Sequence, residues 1–491
     1  MPLARTWAVL GVAFATLGLT ACGSGGSASP AFTADRDLSP AFGWGKTDYT
    51  VRCQGKPVTF DVTAGEGGEA KVGGKPAQSG EFKVSQSLRQ GQSVAVTFTG
   101  GDGESRTFHV RCLPSDFPEF RLEGTGPVSG FRLVMVQMNN GYAALFDRYG
   151  TPVWWYRMKG EPVDAKLLPD STVAYAPVVD LVSDHFDIRS LTGRLIRRVS
   201  AVGKVNTDSH DIQLLANGNY MLGAHRYVYG VDTSRFGGEA NASLNTTQVQ
   251  EIRPDGSLAW KWNSWPRIGL AQSGRWWKQL DKWGPPYDLN HWNSVDRRGN
   301  LVLLSFRHLD AIYAIDRRTG KIEWKLGGTR TPESLKVIGD PRSPHSLGGQ
   351  HDARFLSRSV ITAFDNATFL ENEQPRAVKF RIGRSTKTAT LLQQVVDSRA
   401  KASIAFGSAN QSPDGSWLVG WGAIGKDGMI GNYGKSGEAI ARLYTPGGVS
   451  YRANPVAGPT PTIARLRAAM DQMAARPRKP AGSANYGKPD S

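Results

Sequence analysis

The chain has 491 residues, too many for one ordinary core, so two or more domains are expected. Hydrophobic residues at 40% and charged residues at 21% describe a soluble globular protein, and 57 glycines, 28 prolines and 14 tryptophans favour many short strands over long helices. The formal charge of +16 is compatible with anionic partners, but part of it lies in the tail at Arg476, Arg478 and Lys479, and the body has no dense basic run interleaved with aromatics. That argues against nucleic acid and for a solubilising or cell-surface role.

The first residues read as an export signal, 1–21. Arg5 supplies the positive start, Trp7 to Leu19 the apolar run, and Leu19-Thr20-Ala21-Cys22 the end. The run is too short for a comfortable membrane span. Leu-Thr-Ala-Cys resembles a bacterial lipobox, so cleavage and a lipid on Cys22 are expected, anchoring the exported protein to the outer face of the cell membrane. The alternative is a plain secretory signal with an incidental cysteine. A flexible tether, 22–36, follows, opening with Gly23-Ser24-Gly25-Gly26-Ser27. Three cysteines are an odd number for an exported chain. With Cys22 lipidated, Cys53 and Cys112 remain to pair, as suits an oxidising compartment. Closing the loop between them would stabilise the fold by about 4 kcal/mol in the chain-entropy model.

Residues 37–120 carry period-two stretches separated by Gly-rich turns: Tyr49 to Cys53, Val58 to Val62, Ser93 to Phe98 and Thr107 to Cys112. They predict a small β-sandwich whose disulfide joins an early strand to a late one.

From 121 to 460 a longer pattern recurs: an apolar strand, a Gly turn, and a second strand that often ends in an aromatic. It runs from Leu145 to Trp154, Ile188 to Ile196, Ile252 to Trp260 and Ile315 to Trp324, with weaker copies from Val378 to Val396 and Ala439 to Tyr451. A second hairpin precedes it in several copies, as in Asp211 to Leu222 around Asn217-Gly218, Asn293 to Val302, and Ser412 to Val419. Such hairpins cannot bury both faces alone, and six of them closed in a ring would. The expected fold is therefore all-β, a six-bladed β-propeller preceded by the β-sandwich. Residues 263–290, with Trp265, Trp276, Trp277, Trp283 and Tyr287, interrupt the rhythm as either a lid or a packed decoration. The last segment, 461–491, reads as a short helix followed by a disordered tail.

Histidines fall at matched points of this repeat. His210 lies eight residues before Gly218, His291 lies eight before Gly299, and His351 opens the next related hairpin. In a propeller such positions are related by the central axis, so three histidines distant in sequence can share one pocket. The bland alternative is three separate hydrogen-bonded structural residues.

The motifs Asp208-Ser209-His210-Asp211, Asn290-His291-Trp292-Asn293-Ser294-Val295, Ser305-Phe306-Arg307-His308, Gly349-Gln350-His351-Asp352-Ala353, Phe364-Asp365-Asn366 and Gly420-Trp421-Gly422 occur in that order. Together with Ile315 to Gly328 they resemble the motifs of the bacterial PAPS-independent aryl sulfotransferase family, over most of residues 130–425. The resemblance implies a six-bladed propeller behind a small β domain. It also implies transfer of a sulfuryl group from a phenolic sulfate ester to a phenol, with no cofactor, through a sulfohistidine. His351 matches the histidine that accepts the sulfuryl group. His210, His291, Asn293 and Arg307 match residues that hold the sulfate and manage protons.

The chemistry of these side chains suits the assignment. Neutral imidazole is a competent nucleophile near pH 7. Arg307 offers a fork of donors to sulfuryl oxygens, Asn293 one more, and His210 or His291 can protonate a leaving phenolate or deprotonate an incoming phenol. Asp352 would orient His351 or cap a turn; His225, His308 and His345 lie nearby in sequence.

Two rival functions exist. The segment Ala314 to Trp324 resembles the docking motif of pyrroloquinoline quinone dehydrogenases, but only one copy is clean and no vicinal cysteine pair exists. A non-catalytic propeller binding a ligand or protein at the cell surface is the other. No metal is expected from the histidine spacing, although three histidines in one pocket are also a zinc donor set.

Overall fold

The computed structural model describes residues 29–124, 133–179, 183–343, 345–448, 451–456 and 460–476. The expected signal peptide, Cys22 and the expected tail beyond Arg476 lie outside the described residues.

The first unit is built from two sheets over one core. Ala31–Ala34, Val58–Thr63 and Glu81–Gln86 form one sheet; Leu38–Ser39, Asp48–Val51, Ser105–Cys112, Ser93–Thr99 and Glu69–Val72 form the other. Val58–Thr63 and Ser93–Thr99 alternate strictly between buried and half-buried positions, the signature of strands with one face on a core. Phe32, Tyr49, Phe60, Phe98 and Phe108 meet in that core. The Cys53–Cys112 disulfide, with Cα atoms 5.7 Å apart, links the end of Asp48–Val51 to the strand that runs parallel to it. The expected tether, 22–36, is too long at its far end: Ala31–Ala34 pairs with Phe60 to Thr63, because Phe32 is an apolar anchor that is 1% exposed.

Among the described residues six sheets of four or five strands follow, each built around an antiparallel run of consecutive strands. The second is Glu161–Leu167, Val173–Val178, Phe186–Arg189 and Leu195–Val199; the third is Asn206–Leu214, Tyr220–Val231, Ala242–Ile252 and Leu258–Asn263. The fourth opens with Trp292–Arg298, the fifth with His351–Ser357 and the sixth with Ser408–Gln411. The first sheet is completed from the far end of the chain, since Ala453–Pro455 pairs with Leu133–Met138. Conversely, Arg121–Gly124 joins the outer edge of the sixth. First strands contact one another in succession: Glu161–Leu167, Asn206–Leu214, Trp292–Arg298, His351–Ser357, Ser408–Gln411, then Ala453–Pro455, which itself touches Glu161–Leu167. The succession thus returns to its start.

Where the first strands meet, buried charges are paired. Arg452 donates to Asp164 at 2.8 Å and to the backbone oxygens of His210 (3.1 Å) and Asn293. Lys166 and Arg354 pair with Asp211 at 2.5 and 2.9 Å. Residues of four successive first strands are thereby tied to one another and to Arg452, which precedes Ala453–Pro455. The helix Ile463–Ala475, capped by the Thr462 side chain, packs Leu466, Ala469 and Met470 on the core of the first sheet. Arg467 and Asp471 pair with Asp48 and Arg111 of the first unit.

Candidate functional site

The site forms where the opening strands of the third, fourth and fifth sheets break register. Pairing shifts between Thr207 and Ile212, between Trp292 and Ser294, and between His351 and Arg354. Each shift is a bulge or a longer irregularity, and such breaks re-aim side chains. His291 (φ 45°) and Asp352 (φ 55°) sit in the left-handed region that non-glycine residues seldom occupy. The repeat thus presents histidines at matched points, and the bulges turn them toward one place.

The His210 and His291 rings lie 5.0 Å apart, centre to centre, and His291 lies 4.6 Å from His308. His210 binds Asp208 through Nδ1, and His291 Nδ1 is 2.5 Å from Asp288 Oδ2. Both dyads carry a carboxylate, yet the outcomes differ. Burial works against charge on His210, but the Asp208 carboxylate outweighs it and the imidazole pKa is raised. At His291 burial wins over Asp288, with His210 and Arg307 adding repulsion, and the pKa is lowered. Asp208 is held at about 2 despite burial, by His210 and His225.

His351 is 1% exposed. Its Nδ1 lies 2.8 Å from Asn366 Oδ1, while the Asn366 amide donates to Ser403 Oγ (2.8 Å) and the Phe406 carbonyl (2.9 Å). Those two bonds fix the Asn366 oxygen toward the ring, so the proton of His351 belongs on Nδ1 and the Nε2 lone pair is left. Nε2 accepts the Phe406 N–H at 3.2 Å. Burial, reinforced by Arg307, holds the pKa of His351 well below the usual histidine range, so the ring is neutral at physiological pH.

Arg307 stands beside this group. Its guanidinium lies 4.6 Å over the Trp276 ring, donates to His308 Nε2 and to the Ile404 carbonyl at 2.8 Å each, and leaves its buried Nε–H without a partner. Among the described residues no carboxylate is within ion-pair distance; Asp288 and Asp310 act only from further off. Burial lowers its pKa to about 10, so it stays charged. A half-buried cation with neutral partners and a spare donor suits an anion.

Asn293 is fully buried and donates to the Gln350 carbonyl at 2.8 Å, fixing the residue before His351, while its Oδ1 has no hydrogen-bond partner. Asp352 pairs with Arg354 at 2.7 Å instead of orienting His351; Asn366 does that. His308 belongs to the cluster, His225 lies 3.6 Å from Asp208, and His345 is exposed. Sequence reasoning gave no roles to Asp288, Asn366 or Trp276, although Phe364-Asp365-Asn366 stood among the motifs and Asp288 precedes His291 by one helical-type step. Residues 263–290 are both packed and marginal: Trp276 and Trp277 are buried, and Trp283, 52% exposed, leans on His308 at 5.5 Å.

Asp288, His291 and His308 present ligand atoms within 4.8 Å of one another, a donor set a transition metal could use. The Arg307 guanidinium bonded to His308 opposes a second cation there, and favours an anion.

The Arylsulfotransferase (ASST) family matches residues 126–448, which include every one of these side chains except Arg452. The chain belongs to the arylsulfotransferase family. That makes it a member of a group of transferases acting on aryl sulfates and phenols. No curated protein is similar enough to count as a match. Among solved structures, a Bacteroides caccae protein of unknown function is similar at 10% identity with a TM-score of 0.42, over 67% of this chain and 100% of that one. TolB from Acinetobacter baumannii is similar at 10% identity and TM-score 0.38, over 75% and 81% of the two chains. Apo AztD from Citrobacter koseri is similar at 10% identity and TM-score 0.33, over 66% and 97%.

Proposed function

We propose that this family member is an exported lipoprotein, a six-bladed β-propeller behind a small β-sandwich, which moves a sulfuryl group from a phenolic sulfate ester to a phenol through a sulfohistidine at His351. Six sheets of four or five strands, whose innermost strands contact one another in a succession that returns to its starting point, support the propeller. One observation carries the chemistry: a half-buried guanidinium with no carboxylate partner among the described residues, near a neutral imidazole whose proton is fixed on the nitrogen that Asn366 holds.

In the first step the His351 Nε2 lone pair leaves the Phe406 N–H and attacks sulfur. The bond from sulfur to the phenolic oxygen breaks, and the departing phenolate takes the proton of His210, the imidazole whose pKa is raised. Arg307 binds sulfuryl oxygens throughout, so charge is stabilised mainly by positioning, by analogy with phosphoryl transfer. In the second step the acceptor phenol attacks the same sulfur, the sulfur–nitrogen bond breaks, and His291, the imidazole whose pKa is lowered, takes the phenolic proton. The two rings, 5.0 Å apart, are placed for the proton exchange that resets them. Trp283, half-exposed beside His308, supplies aromatic surface for an aryl ring, whereas Trp292 is packed in the core.

The test is transfer from 4-nitrophenyl sulfate to phenol by the purified mature protein and by His351→Ala. The wild type is expected to turn over and the variant not to. A folded wild type without turnover would instead favour a binding protein.

A further inference from the structure

The residue after the arginine has a task of its own. His308 is 2% exposed, and both of its ring nitrogens are committed. Nδ1 donates to the Asp288 carbonyl at 2.7 Å, which leaves Nε2 unprotonated to accept from Arg307 Nη1 at 2.8 Å. The opposite tautomer would put two N–H groups face to face. Burial and the neighbouring His291 keep this ring neutral, so it accepts from the guanidinium instead of repelling it. The His308 ring also lies 4.6 Å from the Trp276 ring, the same indole that underlies Arg307. Trp276 is itself pinned, donating from Nε1 to Asp310 Oδ1 at 2.9 Å. Arg275 donates to that carboxylate at 2.6 Å.

We infer that His308 is a positioning residue for Arg307. Its Nε2 lone pair, the Ile404 carbonyl and the Trp276 face hold the guanidinium in one orientation without neutralising it, and leave the Nε–H for an anionic oxygen. A carboxylate in the place of His308 would hold the arginine equally well and cancel the charge that an anion needs. Neutral acceptors on two sides and an aromatic face beneath are the arrangement that fixes a guanidinium and keeps it available. The inference rests on the sulfuryl-transfer reading only for the identity of the anion.

Inorganic sulfate is the probe, because its binding requires no turnover. Its dissociation constant is measured by titration calorimetry for the wild-type mature chain, Arg307→Ala, His308→Leu and the double variant. Each single change is expected to weaken sulfate binding at least tenfold, and His308→Leu to have no further effect once Arg307 is gone. His308→Gln, which keeps an acceptor for the guanidinium and changes packing less, is expected to recover affinity to within about threefold of wild type; it also serves if His308→Leu fails to fold.

The inference is overturned if His308→Leu binds sulfate like the wild type, or if its effect is undiminished in the Arg307→Ala background. It is also overturned if His308→Gln is as weak as Leu, or if the wild type binds no sulfate. A wild type that binds sulfate and obeys this cycle but transfers nothing between phenols would end the sulfuryl-transfer reading and leave the positioning role standing.

Discussion

The side-chain oxygen of Asn366 lies 2.8 Å from His351 Nδ1 and is held there by its own amide bonds to Ser403 and Phe406. This decides which nitrogen of the proposed nucleophile is unprotonated. A neutral imidazole has one lone pair, and the contact leaves it on Nε2.

Asn366→Leu is therefore expected to leave the fold largely intact and to lower kcat for phenol sulfation about 100-fold, since wrong-tautomer imidazoles lose activity steeply in comparable triads. Asn366→Asp should also be slow, because a buried carboxylate would pull a proton onto His351 and occupy Nε2. Steady-state kinetics with 4-nitrophenyl sulfate, alongside circular dichroism, checks both.

The pH profile follows from the two dyads. The account needs His210 protonated and His291 and His351 neutral. His291 and His351 have lowered pKa values, so they are neutral from below the usual histidine range upward, whereas His210, raised, stays protonated above it. The log of kcat/KM should rise with pH at the acid end, plateau around neutrality, and fall as His210 loses its proton. Asp208→Asn removes the carboxylate that raises His210 and is expected to move the alkaline limb to lower pH. A falling limb that ignores this change would mean that His210 is not the acid.

Arg452 is 1% exposed on side-chain area and joins Asp164 to the backbone of two neighbouring opening strands. Truncation would leave Asp164 with Lys166 and the Ile212 N–H and remove the tie between the opening strands. Arg452→Met is expected to destabilise the protein by about 3–5 kcal/mol, the range for breaking a buried ion pair from one side. Urea unfolding followed by tryptophan fluorescence measures it.

Export and anchoring are open to a direct check. Expressed with its native leader in a bacterial host, the wild type should sediment with membranes and incorporate labelled palmitate. Cys22→Ala should do neither.

Much of this was legible in the sequence, because repetition and turn chemistry are local signals. Asn217-Gly218 and the apolar alternation around it mark a hairpin wherever they stand, and equal spacing from such a turn places His210 and His291 alike. What escaped reading was contact between distant segments. Asn366 meets His351 across a hairpin whose register is set by a bulge, and no local pattern announces a bulge. Ala453–Pro455 is too short to read as a strand, yet it completes the first sheet, a relationship visible only once the chain's ends are brought together. Phe32 reads as part of the tether because a single aromatic in a polar stretch carries no period. Asp352 looked like a partner for His351 by adjacency, but at positive φ it turns to Arg354.

The most direct measurement is intact-protein and peptide mass spectrometry after exposing the mature chain to 4-nitrophenyl sulfate without an acceptor. The account predicts a sulfuryl adduct on the peptide containing His351, absent from His351→Ala and discharged when phenol is added. Release of nitrophenol with no adduct on that peptide, or an adduct that persists in His351→Ala, would contradict it.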